Sequence, residues 1–564
     1  MPKFVLDGKE IEFEQGQTII QAARKFGINI PHFCWHPSLS ISGNCRVCLV
    51  EVEKIPKLVI ACSTLAAEGM VVHSASEKTI AARNAVMEFL LINHPLDCPI
   101  CDEAGECKLQ DYAYAHSAGE SRFTEEKNHK DKRVPLGPYV MFDAERCISC
   151  SRCIRFCDEI AKDPELTFVK RGDRVTIVTY PGEQMDNPYS LNTTDICPVG
   201  ALTNRDFRFR ARVWDMSSTK SICTGCSRGC NSEIWVRNNE VLRLTPRYNE
   251  EVNSYWMCDH GRINTFKFIN SDDRVDGPHL RREGTLIKVS WAEALNVAAN
   301  ELKSCQKNEI AFIGSPYASN EDNFAIVKLA KFVGSKNILF MRHSNPEFGD
   351  DILRQNDVTP NSLGAELAGV SPSADLNGIV KSINEGKIKA LFLIDDDIVF
   401  SSPELENILA KLDLLIVCTT NFGKTVSLAD IVFPSATYAE KNGTMVNFQG
   451  MIQRLRPAVS TEELDRSMDG MSLSRLDKFG TKYDRWNQGI KRDAKSAWKI
   501  ISSLSNTMGY KMKYNVVEDV FEEMAKSIDA FKGIDYDDIG ESGENLSANL
   551  SGEVQKTKPE AFSK

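Results

Sequence analysis

The distribution of cysteines constrains this chain more than any other feature of its sequence. Sixteen of the 18 cysteines lie before residue 260, and only Cys305 and Cys418 follow. Nine of the sixteen occur in short Cys-x2-Cys units, and the N-terminus has no signal-peptide pattern. Such units in a reducing compartment favour metal ligation over disulfides. The sequence therefore predicts that the first half of the chain binds metal.

The most specific unit is a ferredoxin-like run in the first third of the chain. Its spacing is C-x2-C-x2-C-x3-C, the bacterial pattern for a 4Fe–4S cluster, and it comprises Cys147, Cys150, Cys153 and Cys157. No cysteine follows until the Cys197-Pro198 step. A second cluster needs a second cysteine triplet, so one cluster is predicted here. Ferredoxin pairing favours Cys197 as its fourth ligand, with Cys157 as the alternative.

A second set of cysteines has a spacing similar to that of plant-type 2Fe–2S ferredoxins. The spacing is C-x10-C-x2-C-x13-C, with a longer first gap, and the residues are Cys34, Cys45, Cys48 and Cys62. Gly43 allows the backbone to wrap closely around sulfur atoms. A structural zinc site is the alternative, but such sites usually contain two Cys-x2-Cys pairs. We therefore expect a 2Fe–2S cluster.

Two further sets have 4Fe–4S character. In the first, three cysteines cannot close a site, and a histidine stands where the fourth ligand is needed; the residues are His94, Cys98, Cys101 and Cys107. A surface or capping histidine is the alternative. The other set has the spacing C-x2-C-x3-C-x27-C and comprises Cys223, Cys226, Cys230 and Cys258. Its alternative is a zinc knuckle, although the long last gap favours a cluster.

The N-terminal sequence pattern predicts a small β-grasp domain. Residues 3–6 and 10–14 have strand character around the turn signal Asp7-Gly8. A helix is predicted to begin after Thr18, a suitable N-cap. A second helix is predicted from Thr79 to Ile92, and residues 117–138 are predicted to form a solvated linker.

From residue 272 onward the pattern changes to alternating strands and helices. Strands are predicted at 310–314, 389–395 and 412–417, and a helix is predicted at 320–333. This alternation predicts a doubly wound parallel sheet. No G-x-G-x-x-G follows these strands, so no dinucleotide site is expected. The overall fold class is therefore multidomain, with α+β modules followed by an α/β domain.

Composition argues against two kinds of direct partner. The net charge of the 564-residue chain is −10, which argues against nucleic acid. No apolar run approaches the length that spans a bilayer. We therefore expect any membrane association to be indirect, through other proteins.

Several strings resemble a known family. The chain resembles the large iron–sulfur subunit of NADH-quinone oxidoreductase, which is respiratory complex I. The strings are Pro31-His32-Phe33-Cys34, Asn93-His94-Pro95-Leu96-Asp97-Cys98-Pro99, Arg146-Cys147-Ile148-Ser149-Cys150 and Asp195-Ile196-Cys197-Pro198-Val199-Gly200-Ala201-Leu202. The C-terminal half is similar to molybdopterin oxidoreductases at Ala429-Asp430-Ile431-Val432-Phe433-Pro434 and Ala439-Glu440-Lys441-Asn442-Gly443-Thr444.

The resemblance implies four ligand groups, the first to the fourth in chain order. The first group, for a 2Fe–2S cluster, is Cys34, Cys45, Cys48 and Cys62. The second, for a His-ligated 4Fe–4S cluster, is His94, Cys98, Cys101 and Cys107. The third and fourth, each for a 4Fe–4S cluster, are Cys147, Cys150, Cys153 and Cys197, and Cys223, Cys226, Cys230 and Cys258. Cys157 is then a buried thiol beside the third group. No molybdopterin is expected.

The function implied by the resemblance is electron relay. Electrons would pass from an NADH-oxidising flavin subunit through these clusters to ferredoxin-like subunits and finally to quinone. The chain would lie peripherally at the cytoplasmic or matrix face of an energy-conserving membrane. No catalytic residue and no NADH or quinone site is expected in the chain itself.

The sequence also implies a domain organisation. The expected segments are a 2Fe–2S domain (1–78), a His/Cys 4Fe–4S module (79–118), a ferredoxin-like 4Fe–4S domain (119–215), a molybdopterin-oxidoreductase-type 4Fe–4S domain (216–272), a molybdopterin-oxidoreductase-like α/β domain (273–541) and a disordered tail (542–564).

Three alternative functions share some of these features. An NAD-linked molybdenum formate dehydrogenase has the same N-terminal modules, but about 300 residues after Cys258 are few for a pterin region at about 150 residues per domain. An iron-only hydrogenase needs a further cysteine-rich domain. A zinc-stapled scaffold would be colourless.

Overall fold

The structure is a computed structural model that describes residues 1–117, 119–463, 471–472 and 489–550. Two compact units divide the chain, Met1–Val213 and Trp214 onward. Both units mix helices with small or large sheets, as the predicted fold class requires. Elements are numbered in chain order among the described residues.

The N-terminal unit is built from short elements. Its strands are β1 (Lys3–Leu6), β2 (Lys9–Glu12), β3 (Leu49–Val52), β4 (Val59–Ile60), β5 (Val71–His73), β6 (Val134–Pro135), β7 (Val140–Phe142), β8 (Leu166–Val169), β9 (Thr176–Thr179) and β10 (Leu202–Asn204). Its helices are α1 (Ile19–Lys25), α2 (Glu77–Ile92), α3 (Lys108–His116), α4 (Arg152–Glu159) and α5 (Asn192–Ile196), with 3₁₀ turns at Cys98–Ile100 and Gly172–Arg174.

The first five strands form the β-grasp sheet, in the order β2-β1-β5-β3-β4. Asp7 (φ 49°) and Gly8 (φ 82°) both have positive φ, the geometry of a tight hairpin turn whose twist matches that of the strands. Thr18 caps α1 in a capping box with Gln21. The predicted hairpin and helix start are confirmed, although β2 ends at Glu12 rather than at residue 14.

Helix α2 begins two residues before the predicted position, because Ser76 rather than a later residue caps it by accepting a hydrogen bond from the backbone N–H of Thr79. The helix ends at Ile92, as predicted.

The segment predicted to be a solvated linker is largely exposed, but two of its lysines contact residues outside it. Lys127 Nζ donates to the backbone oxygens of Leu91 (2.9 Å) and Ile92 (2.6 Å) at the end of α2. Lys132 Nζ lies 2.6 Å from Asp97 Oδ2. The contacts of Lys127 satisfy carbonyls that a helix end leaves without intrahelical partners. The segment therefore covers the start of the second group, a role the charge pattern did not predict.

The C-terminal unit contains the larger sheets. Its strands are β11 (Ser217–Ile222), β12 (Asn231–Arg237), β13 (Glu240–Pro246), β14 (His279–Arg282), β15 (Thr285–Lys288), β16 (Ile310–Ile313), β17 (Ile338–Met341), β18 (Ser371–Ser373), β19 (Ala390–Ile394), β20 (Leu414–Thr419), β21 (Ile431–Pro434), β22 (Gly443–Val446), β23 (Met451–Leu455), β24 (Met471–Ser472) and β25 (Glu544–Asn545).

Nine helices of this unit lie within the described ranges. They are α6 (Asp259–Ile263), α7 (Trp291–Ser304), α8 (Asn320–Val333), α9 (Ser362–Leu367), α10 (Asn377–Asn384), α11 (Ile398–Ser401), α12 (Glu406–Leu409), α13 (Ala497–Met508) and α14 (Val517–Ser527). Short 3₁₀ turns include Lys267–Asn270, Lys307–Glu309, Pro403–Leu405, Val426–Leu428, Gly489–Lys491, Asp529–Phe531 and Leu546–Ala548.

An eight-stranded sheet forms the centre of this unit, in the order β15-β14-β21-β20-β19-β16-β17-β18. The six strands from β21 to β18 in that order are parallel. Phe312 packs in the core on one face and its neighbours Ala311 and Ile313 pack in the core on the other. Both faces are therefore covered, and the predicted doubly wound sheet is confirmed. The chain order reverses between β16 and β19, which is where such sheets bind ligands.

The predicted disordered tail begins too early. Within residues 542–550, β25 pairs with β23, and Leu546 is buried and donates its backbone N–H to the oxygen of Gly450. The charged composition concealed these contacts, so the prediction is wrong for this part. Residues 551–564 lie outside the described residues.

Candidate metal centres

The thiols of the first group form one connected set. Cys34, Cys48 and Cys62 are buried and Cys45 is half-buried. Hydrogen bonds from Cys45 and Cys62 lower the pKa of Cys34, and a hydrogen bond from Cys62 lowers the pKa of Cys48. The backbone N–H of Cys34 lies 3.4 Å from the sulfur of Cys45. The structure thus brings all four predicted residues together.

Backbone conformation and one buried arginine shape the loop that carries this group. Gly43 has φ 63°, and a Cβ there would lie 3.0 Å from Ile60 Cδ1, so the close wrapping predicted for this glycine is confirmed. Arg83 of α2 is 3% exposed and donates to the backbone oxygens of Val47 (Nε, 3.2 Å) and Leu49 (Nη2, 3.4 Å). Sequence reasoning placed Arg83 on the helix but missed this role, which a charged residue beside the apolar Ile80 and Met87 of the same face could have signalled.

The third group surrounds a small cavity. The cavity is lined by its four cysteines and by side chains that include Phe142, Ile177, Val199 and Leu202. Burial raises the pKa of Cys147 to about 11 and raises those of Cys150, Cys153 and Cys197 as well. Ser149 (φ 54°) and Ser151 (φ 64°) have left-handed backbone conformations that turn the chain tightly between cysteines.

Cys157 occupies a different environment. It is 0% exposed and lies on α4, but it is not among the described residues that line this cavity. Burial, and then the charges of Glu165 and Asp163, raise its pKa. The structure therefore separates Cys157 from the four cysteines of the third group.

The second group is the least enclosed. Cys101 and Cys107 are buried, whereas Cys98 is exposed in its 3₁₀ turn and His94 is half-buried. Burial, and then the positive charge of Arg146, lower the pKa of His94 to about 4. The imidazole is therefore neutral at pH 7 and presents a lone pair, the form that binds metals.

The second and third groups are in direct contact. A Cβ added to Gly200, three residues after Cys197, would lie 2.2 Å from the sulfur of Cys101. The backbone oxygen of Pro198 accepts a hydrogen bond from the backbone N–H of Lys108, which follows Cys107. The Cys-Pro-Val-Gly string thus has a physical explanation, because only glycine leaves room for this sulfur.

The first and third groups are linked by polar contacts. Asn44 Nδ2 donates to the backbone oxygen of Ser149 (3.0 Å). Arg152 donates to the backbone oxygens of Ile196 and Trp35, and Arg155 donates to that of Cys34. The third group therefore lies between the first and the second. These arginines alternate with the cysteines in the ferredoxin-like run, a signal that sequence reasoning did not use.

The fourth group lies in the C-terminal unit and is fully buried. The backbone N–H of Cys223 donates to the oxygen of Cys230 (2.8 Å), which closes the loop between β11 and β12. A Cβ added to Gly261 would lie 2.7 Å from the sulfur of Cys223 and 3.6 Å from that of Cys258. Burial raises the pKa of all four thiols. These predicted residues are also brought together.

A cavity of about 750 Å³ lies at the carboxyl ends of β19 and β20 in the same unit. Its lining includes Asp395, Asp396 and Lys441. Lys441 Nζ lies 2.6 Å from Asp322 and 3.4 Å from Asp395, and all three side chains are buried. Sequence reasoning missed this charged cluster, although Lys441 falls in one of the strings that resemble molybdopterin oxidoreductases.

The two remaining cysteines lie apart from the groups. Cys418 is buried within β20, and Cys305 is half-buried at the end of α7. Across the described residues, no cluster of three or more His, Cys, Asp or Glu side chains is arranged to hold a single metal ion. Of the helices within the described ranges, none is both long and apolar enough to cross a membrane.

Five family models match the chain. They are a 2Fe-2S iron-sulfur cluster binding domain (residues 2–77), the NADH-ubiquinone oxidoreductase-G iron-sulfur binding region (83–122), the ferredoxin-like domain of NADH-quinone oxidoreductase subunit 3 (137–203), the molybdopterin oxidoreductase Fe4S4 domain (216–270) and molybdopterin oxidoreductase (274–370 and 357–467).

Individual proteins are also similar. A subunit of the NADH-quinone oxidoreductase of Rickettsia conorii is 43% identical over 340 residues, which is 60% of this chain and 50% of that protein. The mitochondrial NADH-ubiquinone oxidoreductase 78 kDa subunit of Neurospora crassa is 42% identical over 377 residues, 65% of this chain and 50% of that protein. The chain thus spans about half the length of the curated relatives it matches.

A solved structure, the NAD⁺-reducing [NiFe]-hydrogenase in its H₂-reduced state, is 31% identical with a TM-score of 0.35 over 38% of this chain and 91% of the matched chain. The family models and relatives confirm the resemblance predicted from the sequence. The chain contains 2Fe–2S and 4Fe–4S binding domains followed by a molybdopterin-oxidoreductase domain, and over its matched residues it is similar to the named subunits of NADH-quinone and NADH-ubiquinone oxidoreductases.

Proposed function

We propose that the chain is the electron-relay iron–sulfur subunit of an NADH-quinone oxidoreductase, carrying electrons from an NADH-oxidising flavin subunit toward quinone. The first group holds a 2Fe–2S cluster, and the second, third and fourth groups each hold a 4Fe–4S cluster. A bound cluster of this kind takes up and releases electrons at a potential that its ligands, hydrogen bonds and burial determine.

The observation that carries the proposal is the contiguity of three groups in the N-terminal unit. The third group contacts the first through Asn44 and Arg152 and the second through Gly200. A relay needs redox groups that are near one another and fixed in place. The arginines and glycines between the cysteines supply this fixed spacing, and no acid, base or nucleophile is required of the chain.

The donor sets fit iron–sulfur clusters. Burial raises the pKa values of the thiols in the third and fourth groups, so ionising them without a counter-charge is costly. A bound metal supplies that charge and deprotonates a coordinating thiol outright. The neutral imidazole of His94 is a suitable nitrogen ligand for the second group.

Molybdopterin does not fit this assignment. Consecutive carboxylates from Asp395 to Asp397 line the large cavity of the C-terminal unit. Two of these carboxylates are paired, Asp395 with Lys441 and Asp396 with His343, and no cysteine that could bind molybdenum is among the described residues that line this cavity. The proposal therefore includes no molybdenum centre.

The remaining parts of the proposal follow from the same function. The segments 1–78, 79–118, 119–215 and 216–272 act as successive domains, and the α/β domain that begins at residue 273 extends past residue 541 to include β25. The partners are the flavin subunit and ferredoxin-like subunits of the complex. The chain lies peripherally at the cytoplasmic or matrix face of the membrane and reaches it through those partners.

Metal analysis with EPR of the reduced protein tests the proposal. We expect about fourteen irons per chain, the sum of one 2Fe–2S and three 4Fe–4S clusters, and no molybdenum. The spectrum must contain one 2Fe–2S signal together with several 4Fe–4S signals. Zinc in place of iron would refute electron relay, and molybdenum would favour a formate dehydrogenase.

A matched pair of serine variants tests the ligands of the third group. Cys197→Ser should lose one 4Fe–4S signal and about four irons, because Cys197 lines the cavity with the other three cysteines. Cys157→Ser should keep every signal, because Cys157 is buried elsewhere on α4. The reverse pattern would show that Cys157 is the ligand.

A further inference from the structure

Arg152 occupies a position that the relay assignment alone does not explain. It lies between Cys150 and Cys153 at the start of α4. Its Nη1 donates to the backbone oxygen of Ile196 (3.0 Å), next to Cys197, and its Nη2 donates to that of Trp35, next to Cys34. One guanidinium is therefore fixed at the backbone of both the first and the third groups.

The third nitrogen of this guanidinium lacks a protein acceptor. Among the described residues, the buried Nε of Arg152 has no hydrogen-bond partner. Arg152 also lines the cavity that the four cysteines of the third group surround. A buried N–H without an acceptor is unfavourable. The missing acceptor is accounted for if the cavity holds a cluster whose sulfur atoms accept this hydrogen bond.

Among the described residues, no carboxylate pairs with Arg152. Its hydrogen bonds go to backbone oxygens, and Cys150 and Cys197 line the same cavity as its side chain. A buried cation needs a nearby negative charge. Thiolate-ligated clusters at the first and third groups would provide it on both sides.

Two neighbouring arginines each differ from Arg152 in one of these respects. Arg155 donates through all three nitrogens, to Cys34, Ser40 and Ser151, so its Nε–H, unlike that of Arg152, already has a protein acceptor. Arg146 lies 3.0 Å from Asp97 and 3.4 Å from Asp143, which neutralise its charge.

We propose that Arg152 is a shared positioning residue that donates its Nε–H to the cluster of the third group and raises the reduction potentials of both that cluster and the 2Fe–2S cluster of the first group. This inference rests on the proposed function. A nearby positive charge stabilises the added electron, and a hydrogen bond to cluster sulfur acts in the same direction. Arg152 thereby affects the reduction potentials of two neighbouring clusters of the relay.

Redox titration followed by EPR, with the full chain in its assembled complex, tests this inference. Arg152→Gln should shift the one-electron equilibrium of both clusters toward the oxidised state about tenfold, or about 59 mV to more negative potential. The one-electron equilibria of the second-group and fourth-group clusters should change by less than about twofold. Arg155→Gln, the matched control, should shift the third-group cluster less than about threefold.

A second variant keeps the test decisive if Arg152→Gln fails to assemble. Arg152→Lys keeps the charge but loses the planar fork. It should therefore shift the one-electron equilibrium of the third-group cluster and change that of the first-group cluster by less than about twofold. Equal shifts of all clusters in either variant, or none, would overturn the inference. Failure of the proposed function would look different, because the wild-type protein itself would then lack the iron and the EPR signals.

Discussion

The two units place cysteine groups on different kinds of scaffold. The N-terminal unit carries three groups on sheets of five, three and two strands, and its longest strands have four residues. The C-terminal unit carries one group on a sheet of four strands, and the unit also contains a sheet of eight strands with a hydrophobic core on each face. Cysteines are part of the fold's interior in the first unit, where Cys48 and Cys62 belong to the β-grasp core.

The two units therefore differ in what stabilises them. Small sheets bury little apolar surface and are marginal on their own. Metal-binding free energy is folding free energy when the site does not exist in the unfolded chain. We therefore expect the N-terminal unit to depend on its clusters and the C-terminal unit to depend on its own core.

Removal of the clusters should produce the largest effect. Chelation of iron under reducing conditions should make residues 1–213 sensitive to protease, while the sheet formed by β14–β21 stays protected. Limited proteolysis with mass spectrometry, before and after chelation, measures this. Equal loss of protection in both units would show that the C-terminal unit also relies on bound metal.

The next largest effect should come from the buried charge cluster of the C-terminal unit. Lys441→Met leaves Asp322 and Asp395 buried without their cation, which should reduce the free energy of unfolding of this unit by about 3–5 kcal/mol. Urea denaturation followed by hydrogen exchange in β19 measures the loss. Iron content of the N-terminal unit should not change.

A surface pair provides the control for this variant. Lys389 Nζ lies 2.6 Å from Glu309, but the lysine side chain is 45% exposed. Lys389→Met should leave stability nearly unchanged, since exposed ion pairs contribute little. If both lysine variants behave alike, the buried cluster is not a source of stability for this unit.

Local patterns predicted much of this fold. The helix at 320–333 and the strands near 310, 390 and 414 were predictable, because apolar periodicity and an N-cap such as Ser319 act through neighbours in the chain. Cysteine spacing likewise predicted the first, third and fourth groups, whose cysteines the structure brings together. The prediction for 542–550 was wrong, and the contacts of Lys127 and Lys132 in the exposed linker were missed, because charged composition gives no sign of distant contacts.

The residues that organise the sites were harder to predict. Arg83, Arg152 and Gly200 act on groups that are distant in the chain, so their roles depend on tertiary contacts rather than on spacing. Lys441 is similar, since its partners Asp322 and Asp395 come from two other segments. A charged residue or a glycine within a run of cysteines, or on an apolar face, is therefore a sequence signal for such a tertiary contact.

The smallest effect should come from removing the N-cap of one helix in each unit. Thr18 and Ser319 are both buried and both form capping boxes, with Gln21 and Asp322 respectively. Thr18→Ala and Ser319→Ala should each lower the free energy of unfolding by about 1 kcal/mol. Each removes the side-chain oxygen that accepts a hydrogen bond from a backbone N–H in the first turn of the helix. Hydrogen exchange in α1 and α8 measures the two losses separately.

The same two variants should then diverge once the clusters are removed. Ser319→Ala should keep its effect of about 1 kcal/mol in the C-terminal unit. The Thr18→Ala effect should vanish, because α1 is then already unfolded and its cap has nothing to stabilise. If the Thr18 variant still differs from wild type after chelation, the β-grasp core holds without iron, and the dependence on clusters lies only in the second and third groups.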